Sequence, residues 1–266
     1  MKTSVGQSKR TYGKHVLLNK LIGREVGIVS NNCPPYIVRQ YTMLDLCAGD
    51  GIPSQASGVS SPAIMQKHLN TLKKFNVPSH LILVEKNGNT FDQLNENNFD
   101  AITFNCNARE IKELPKDVHK RSAAFIHADP NNVNDWPVTK ELLSNMPEYT
   151  TLLATLGCNA GGLKRLPLAE RRVWFERMDD LLKWMPERHD ALLVVLRGDA
   201  AQWAYLLIGP KFWRKKYCIN VTASFKRWES GVDMVYYRPN PNEFYRVRDK
   251  LFLTKGELGC QMTAEH

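Results

Sequence analysis

The stretch MLDLCAGDG, residues 43–51, sets an apolar run before an acid and a pair of glycines that flank a second acid. A nearly continuous apolar run predicts a strand that is buried on both faces of a parallel sheet. Gly49 and Gly51 have no Cβ, so the turn after this strand can approach a ligand closely. The stretch therefore predicts a buried strand with a candidate ligand-binding turn at its carboxyl end.

Similar apolar runs recur along the chain and alternate with segments of helical spacing, such as the stripe of Trp174, Met178, Leu181 and Met185. The predicted strands are residues 42–47, 81–85, 101–105, 123–128, 151–156 and 191–196. This alternation is typical of an α/β fold. We expect a mainly parallel, seven-stranded sheet that a C-terminal antiparallel hairpin completes.

The C-terminal part changes character. Residues 217–224 and 232–239 are rich in β-branched and aromatic residues, and they predict a hairpin with its turn near residues 229–231. Residues 198–209, GDAAQWAYLLIG, predict a short helix that Gly209 and Pro210 end. We predict a single domain with a helical lead-in at residues 8–25, a core at 42–240 and a C-terminal tail at 241–266.

The composition limits the classes of function. The chain has 266 residues, and no apolar run approaches the roughly 18 residues that a membrane span needs. The N-terminus lacks an apolar signal core, and the six cysteines are scattered without a CxxC pair. We therefore expect no membrane association, no metal site, reduced thiols and a cytoplasmic protein.

The net charge of +9 is distributed unevenly. Residues 1–40 carry seven Lys and Arg against one acid, residues 41–163 ten against thirteen, and residues 164–250 eighteen against eleven. Two basic ends thus flank a slightly acidic middle. Such ends can attract nucleic acid through their summed field, and they can equally be a solvated basic surface.

The other predicted strands also end in polar residues. Glu85 ends the second strand, NCNARE follows the third, and ADPNN follows the fourth. Ligands of an open parallel sheet bind at the carboxyl ends of the strands, where the strand order reverses. A carboxylate at Glu85 can accept two hydrogen bonds from the vicinal hydroxyls of a ribose.

The glycine turn departs from the phosphate-binding motifs. A dinucleotide fold has GxGxxG and an acid about 20 residues further on, whereas residues 49–54 read GDGIPS and Glu85 lies 40 positions after Asp45. The sequence contains no GxxxxGKS/T loop either. Acids beside the turn suit a ligand with positive charge, such as the ammonium and sulfonium of S-adenosylmethionine.

With these motifs the chain resembles the class I S-adenosylmethionine-dependent methyltransferases, and among them it is most similar to the three-Cys-motif partner family. The resemblance rests on MLDLCAGDG, GVSSPAI (58–64), LILVEKN (81–87), FNCNARE (104–110) and IHADPNN (126–132). With the lead-in GKHVLLNKLI it covers about residues 14–240. It implies a Rossmann-like fold and S-adenosylmethionine as the cofactor.

The resemblance also implies roles for individual residues. Asp45, Gly49 and Gly51 would line the methionine part of the cofactor. Glu85 would hold the ribose, and Asn107 stands where the family usually has an acid that contacts the adenine. The full implied cofactor-binding set is Asp45, Cys47, Ala48, Gly49, Gly51, Glu85, Lys86 and Asn107. The family more often has phenylalanine at the position of Cys47 and proline at that of Asp50.

The implied catalytic residues follow the fourth strand. Asp129 and Pro130 would lie beside the transferred methyl group, and Asn131 or Asn132 would help to orient the acceptor. Enzymes that methylate an exocyclic base amine carry a related Asp/Asn-Pro-Pro-aromatic motif. Here the second proline is missing, and the nearest aromatic residue is Trp136, a candidate for substrate binding.

Lys164 and Arg165 lie in a glycine-rich segment after the fifth strand, and they are candidates for holding a substrate phosphate. A flexible surface loop with solvated charges is the alternative. His127, inside the fourth strand, is predicted to be a core histidine rather than a base.

We expect an S-adenosylmethionine-dependent methyltransferase that acts on nucleic acid, DNA or RNA, with a base exocyclic amine as one target. Three alternatives stay open. The methyl acceptor can be a protein, the chain can bind cofactor or a partner without catalysis, or it can be a nucleotide-dependent oxidoreductase. The sequence does not indicate an oligomeric state.

Overall fold

The computed structural model describes residues 11–32, 40–53, 58–113, 122–130, 135–147, 149–156, 167–187, 189–198, 201–210, 232–236 and 241–253. The chain forms two compact units. The first comprises Met1–Ala128 with Pro137–Thr151, and the second comprises Asp129–Trp136 with Leu152–His266. In the ranges described, no helix is long and apolar enough to cross a membrane.

The first unit alternates helices and strands. Its helices are α1 (Thr11–Asn32), α2 (Ser61–Lys74), α3 (Gly88–Glu96) and α4 (Lys140–Ser144), with a single 3₁₀ turn at Ala108–Glu110. Its strands are β1 (Tyr41–Asp45), β2 (Ser79–Glu85), β3 (Ile102–Asn105) and β4 (Ala123–Ala128). A further strand, β5 (Tyr149–Thr155), runs across the boundary between the two units.

The strands of the first unit lie in the order β3-β2-β1-β4, and all three pairs are parallel. From β1 the chain proceeds outward to β2 and β3, and then returns to place β4 on the other side of β1. The strand order therefore reverses between β1 and β4, which is where ligands bind in open parallel sheets. Both strands are buried along their whole length, as their apolar runs predict.

The second unit is largely antiparallel. It contains α5 (Leu168–Trp184), β6 (His189–Gly198), β7 (Ala201–Pro210), β8 (Val232–Tyr236) and α6 (Pro241–Phe252). The pairs β5–β7, β7–β6 and β6–β8 are all antiparallel. The predicted stripe on α5 is buried, from Trp174 to Leu181, and Met185 just after the helix is buried too.

The predicted α/β class, the parallel strands and the antiparallel C-terminal strands are confirmed, and the structure describes eight strands rather than seven. The predicted helix at residues 198–209 is wrong, because Ala201–Pro210 forms β7. Residues 204–208 are buried between two neighbouring strands. A short apolar run that is buried all round has no period that separates strand from helix.

Three other predictions concern the two ends of the chain. The helical lead-in is α1, which extends to Asn32. The second predicted hairpin strand is β8, which pairs with β6, whereas residues 217–224 lie outside the described residues. Part of the predicted C-terminal tail forms α6. The single domain stays a prediction.

Helices α1 and α2 pack through a buried histidine. His68 of α2 is 8% exposed, and its Nε2 lies 2.9 Å from Asn19 Oδ1 of α1. Gly23 faces the ring so closely that a Cβ there would lie 3.1 Å from His68 Cε1. Burial, together with the neighbouring Lys67 charge, lowers the pKa of His68 to about 4. The imidazole is therefore neutral at pH 7 and donates its Nε2 proton to Asn19.

This burial makes stability depend on pH. Below pH 6.5 the unfolded chain binds a proton at His68 that the folded chain does not take up until about pH 4. Stability is therefore lost as the pH falls through this window. Between pH 7 and pH 5 we expect wild type to lose about 2 kcal/mol more stability than His68→Gln in urea unfolding. Parallel losses in the two proteins would contradict this.

Candidate functional site

The turn after β1, residues 46–53, is called the glycine loop here. Gly49 and Gly51 adopt φ values of 65° and 71°, a left-handed conformation that other residues rarely take. A Cβ at Gly51 would lie 2.7 Å from Phe99, whereas a Cβ at Gly49 would meet no atom within 4 Å. Gly51 is thus needed for packing, and Gly49 leaves open space beside the loop.

Carboxylates occupy three of the loop's N–H groups. Cys47 N–H donates to Asp45 Oδ1 at 3.2 Å, Gly49 N–H to Glu85 Oε2 at 3.1 Å, and Ile52 N–H to Asp50 Oδ1 at 2.9 Å. Backbone carbonyls of the flanking strands accept two more, from Leu46 and Ala48. Most of the loop's donors therefore already have acceptors, and acids supply three of those acceptors.

The loop's carbonyls are tied to the two following helices. Ser60 Oγ donates to Gly51 O at 2.7 Å and also accepts from Ala63 N–H as the N-cap of α2. Asn97 Nδ2, at the end of α3, donates to Asp50 O at 3.0 Å. The loop conformation is thus fixed by β1, α2 and α3 together.

Glu85 joins the ends of three neighbouring elements. Its Oε2 accepts from the glycine loop, and its Oε1 accepts from Asn87 N–H at 2.8 Å, just before α3. Asn105 Nδ2, at the end of β3, donates to the Glu85 carbonyl at 2.9 Å. An ionised carboxylate has about four lone-pair sites. Glu85 therefore keeps acceptor capacity for hydroxyl groups of a ligand.

Asn107 follows β3 on the surface and is the N-cap of the 3₁₀ turn. Its Oδ1 accepts from Arg109 N–H at 3.1 Å, and its own N–H donates to Glu110 at 3.3 Å. The side-chain oxygen retains a second lone pair for an exocyclic amine. Burial and the Glu110 charge raise the pKa of the neighbouring Cys106 thiol, which keeps that thiol protonated.

Beneath the loop lies a buried carboxylate–imidazole pair. Asp45 at the end of β1 is 0% exposed and His127 of β4 is 1% exposed, with 3.1 Å between Oδ1 and Nδ1. Neither Asp45 Oδ2 nor His127 Nε2 has a hydrogen-bond partner in the described part of the chain. The prediction of a core histidine holds for its burial, but its ring is only half satisfied.

The remaining members of the predicted cofactor set differ in exposure. Ala48 is buried, Cys47 is half-buried, and Lys86 is exposed. The first unit therefore brings Asp45, Gly49, Gly51 and Glu85 together through hydrogen bonds and packing, and it places Asn107 after the next strand of the same sheet. In the ranges described, no group of three or more His, Cys, Asp and Glu side chains is arranged to hold a metal ion.

The predicted catalytic and substrate residues belong to the second unit, and several of them lie outside the described residues. Asp129 is half-buried and Pro130 buried, directly after β4, and both belong to the second unit. Trp136 is 2% exposed and lies edge-on to Trp174, with ring centroids 5.8 Å apart. Stacking on a substrate would require the Trp136 ring to leave this contact. Four candidates, Asn131, Asn132, Lys164 and Arg165, lie outside the described residues.

Sequence reasoning missed the residues that hold the loop. Ser60 could have been found, because a serine before Ser61-Pro62 is a common helix N-cap signal. Asn97 and the pairing of His127 with Asp45 had no such signal, since those contacts depend on strand register and on a helix end 47 residues away from Asp50.

Comparisons with known proteins give remote likenesses. No known family profile matches the sequence, and no curated protein matches it. The chain is similar in structure to the plantazolicin methyltransferase BpumL in complex with SAH, with 10% identity and a TM-score of 0.43 over 76% of this chain and 86% of that chain. It is also similar to precorrin-6y C5,15-methyltransferase from Geobacter metallireducens, with 11% identity and a TM-score of 0.38 over 70% of this chain and 86% of that chain. Both TM-scores lie below 0.5.

The two glycines offer a matched pair of substitutions. Gly49→Ala should cost about 1–2 kcal/mol of unfolding free energy, because only the left-handed backbone opposes it. Gly51→Ala should cost about 1–3 kcal/mol more, because its Cβ also collides with Phe99 and Leu94. Urea unfolding measures both, and equal losses would contradict the packing difference.

Proposed function

We propose that the chain binds S-adenosylmethionine at the glycine loop and transfers its methyl group. The carboxylates of Asp45, Asp50 and Glu85 support this proposal, because they accept from three N–H groups of the loop. A loop that is already surrounded by acids favours a ligand with positive charge at that point.

The same observation argues against a dinucleotide. In dinucleotide folds the pyrophosphate takes the N–H groups of the glycine turn and of the helix that directly follows it. Here α2 begins only at Ser61, and its N-terminus is capped by Ser60. A phosphate near the loop would also meet repulsion of about 1–4 kcal/mol for each unit charge at 4 Å. The oxidoreductase alternative is therefore disfavoured.

The residues present fit S-adenosylmethionine. Asp45 Oδ2 is a buried acceptor without a partner in the described residues, which suits an interaction with the cofactor's ammonium through one ordered water molecule. Glu85 has acceptor capacity for the two ribose hydroxyls. Asn107 can accept from the adenine amine through its free lone pair. The open space at Gly49 would let the methionine part approach the backbone.

When bound, the cofactor would supply a methyl group that its sulfonium already activates. The chain's task is then to hold the acceptor in line and to relieve it of a proton. We assign acceptor orientation to Asp129, with Pro130 fixing the backbone and Asn131 or Asn132 assisting, as the resemblance to the three-Cys-motif partner family implies.

We further propose that the acceptor is nucleic acid, DNA or RNA, with a base exocyclic amine as one target. The net charge of +9 and its concentration in the two ends of the sequence support this, because Lys and Arg neutralise phosphates. Lys164 and Arg165 would contribute at the substrate side, and Trp136 would stack if released from Trp174. The scattered spacing of the six cysteines, without a CxxC pair, supports a reducing, cytoplasmic setting.

Isothermal titration with S-adenosylhomocysteine tests cofactor binding. We expect saturable binding that Asp45→Asn and Glu85→Gln each weaken about 10-fold or more, because each removes a charged acceptor. Asp92→Asn is the matched control, since Asp92 is an exposed acid on α3 away from the loop's hydrogen bonds, and it should bind as wild type does. Absence of binding, or a preference for NAD, would overturn the proposal.

The acceptor is tested by incubating the protein with tritiated S-adenosylmethionine and separate pools of DNA, RNA and protein. We expect label in a nucleic-acid pool, and binding to that pool should weaken steeply with salt as counterions are released. Label in protein alone would contradict the nucleic-acid acceptor. Cofactor binding without label in any pool would favour a non-catalytic protein.

A further inference from the structure

Asp45 and His127 are neighbours in the central pair of parallel strands. They are register partners in β1 and β4, so both side chains lie on the same face of the sheet. The Oδ1–Nδ1 distance is 3.1 Å, and the two side chains are 0% and 1% exposed. Nothing in the proposed cofactor contacts uses this histidine.

The contact favours the imidazole tautomer that carries its proton on Nδ1. An ionised carboxylate has only acceptors, so a hydrogen bond to it requires a proton on His127 Nδ1. The same Asp45 oxygen also accepts from Cys47 N–H at 3.2 Å. Asp45 Oδ1 thus accepts one hydrogen bond from His127 of β4 and another from Cys47 N–H at the start of the glycine loop.

The other carboxylate oxygen is left without a donor. Asp45 Oδ2 is buried and has no hydrogen-bond partner in the part of the chain that the structure describes. A buried acceptor without a donor is costly, so a ligand donor or an ordered water that reaches it gains a strong interaction. The two donors on Oδ1 prevent the carboxylate from turning Oδ2 away.

We propose that His127 is a positioning residue of the cofactor site, acting through Asp45. Its Nδ1 proton holds Oδ1, which keeps the Cys47 amide and the first turn of the glycine loop in place and reserves Oδ2 for the ligand. This role rests on the proposed function, because it assigns His127 to the same cofactor site. A histidine that merely fills the core would affect stability without changing ligand affinity through Asp45.

Matched variants separate these two roles. In His127→Asn the amide nitrogen can stand near the position of Nδ1 and keep the donor, whereas His127→Leu removes it at similar volume. His127→Gln, which moves the donor further along the side chain, replaces His127→Leu if that variant does not fold. Urea unfolding of each variant controls for stability.

A double-mutant cycle with Asp45→Asn, measured as affinity for S-adenosylhomocysteine, tests this role. We expect His127→Leu to weaken binding about 10-fold and His127→Asn to stay within about 3-fold of wild type. In the Asp45→Asn background, His127→Leu should add little, because the path through Asp45 is already broken. Affinity unchanged in His127→Leu, or losses that add in full, would overturn the positioning role.

A second readout needs no ligand. Cys47 N–H is protected by Asp45 Oδ1, so His127→Leu should speed its hydrogen exchange at least several-fold, and His127→Asn should not. Unchanged Cys47 exchange in His127→Leu overturns the inference. If the wild-type protein binds no S-adenosylhomocysteine, the proposed function is wrong. The hydrogen-exchange rates then still show whether His127 holds the glycine loop.

Discussion

The hydrogen bonds from the glycine loop to acidic side chains are the constraint on which the candidate site depends. Glu85 takes the Gly49 amide, Asp45 takes the Cys47 amide, and Asp50 closes its own turn on Ile52. These bonds connect the carboxyl ends of β1 and β2 in one acidic rim, which consists of Asp45, the glycine loop and Glu85. They also determine the electrostatics of the rim, because each satisfied N–H group is one that a phosphate cannot use.

Asp50 illustrates how the structure changes the interpretation of a residue. In the sequence, an acid between two glycines suggests direct contact with a cationic ligand. In the structure its Oδ1 accepts from Ile52 N–H, and its carbonyl accepts from Asn97. Its first role is therefore to hold the turn, a usual role for an aspartate beside glycine. The departure from the proline that the related family more often has at this position thus has a local structural reason.

Much of the first unit could be predicted from the sequence because its signals are local. The apolar runs of β1, β2 and β4 are long enough to exclude a solvated loop, and Glu85 stands at a strand end by sequence alone. The carboxyl end of β1 lies two residues before the predicted end, because Cys47 N–H donates to Asp45 and the strand ends at that acid. Such an end depends on a side chain rather than on hydrophobicity.

What could not be predicted depends on pairing between distant segments. β7 has the composition of a helix or a strand, and only its position between β5 and β6 decides for the strand. The contact of His127 with Asp45 joins residues 82 positions apart through strand register. A single histidine in an apolar run does not indicate which residue it will contact, and an aspartate at a strand end does not either.

The acidic rim should select positive charge over phosphate. This selection is tested by titrating the ¹⁵N-labelled protein with S-adenosylhomocysteine and with ADP while following its amide signals. The two ligands share the adenosine and differ in the group that would reach the glycine loop. We expect saturable shifts of the amide signals of Gly49, Glu85 and Asn107, with S-adenosylhomocysteine binding at least about 10-fold more tightly than ADP. ADP binding as tightly at the same amides, or more tightly, would contradict it.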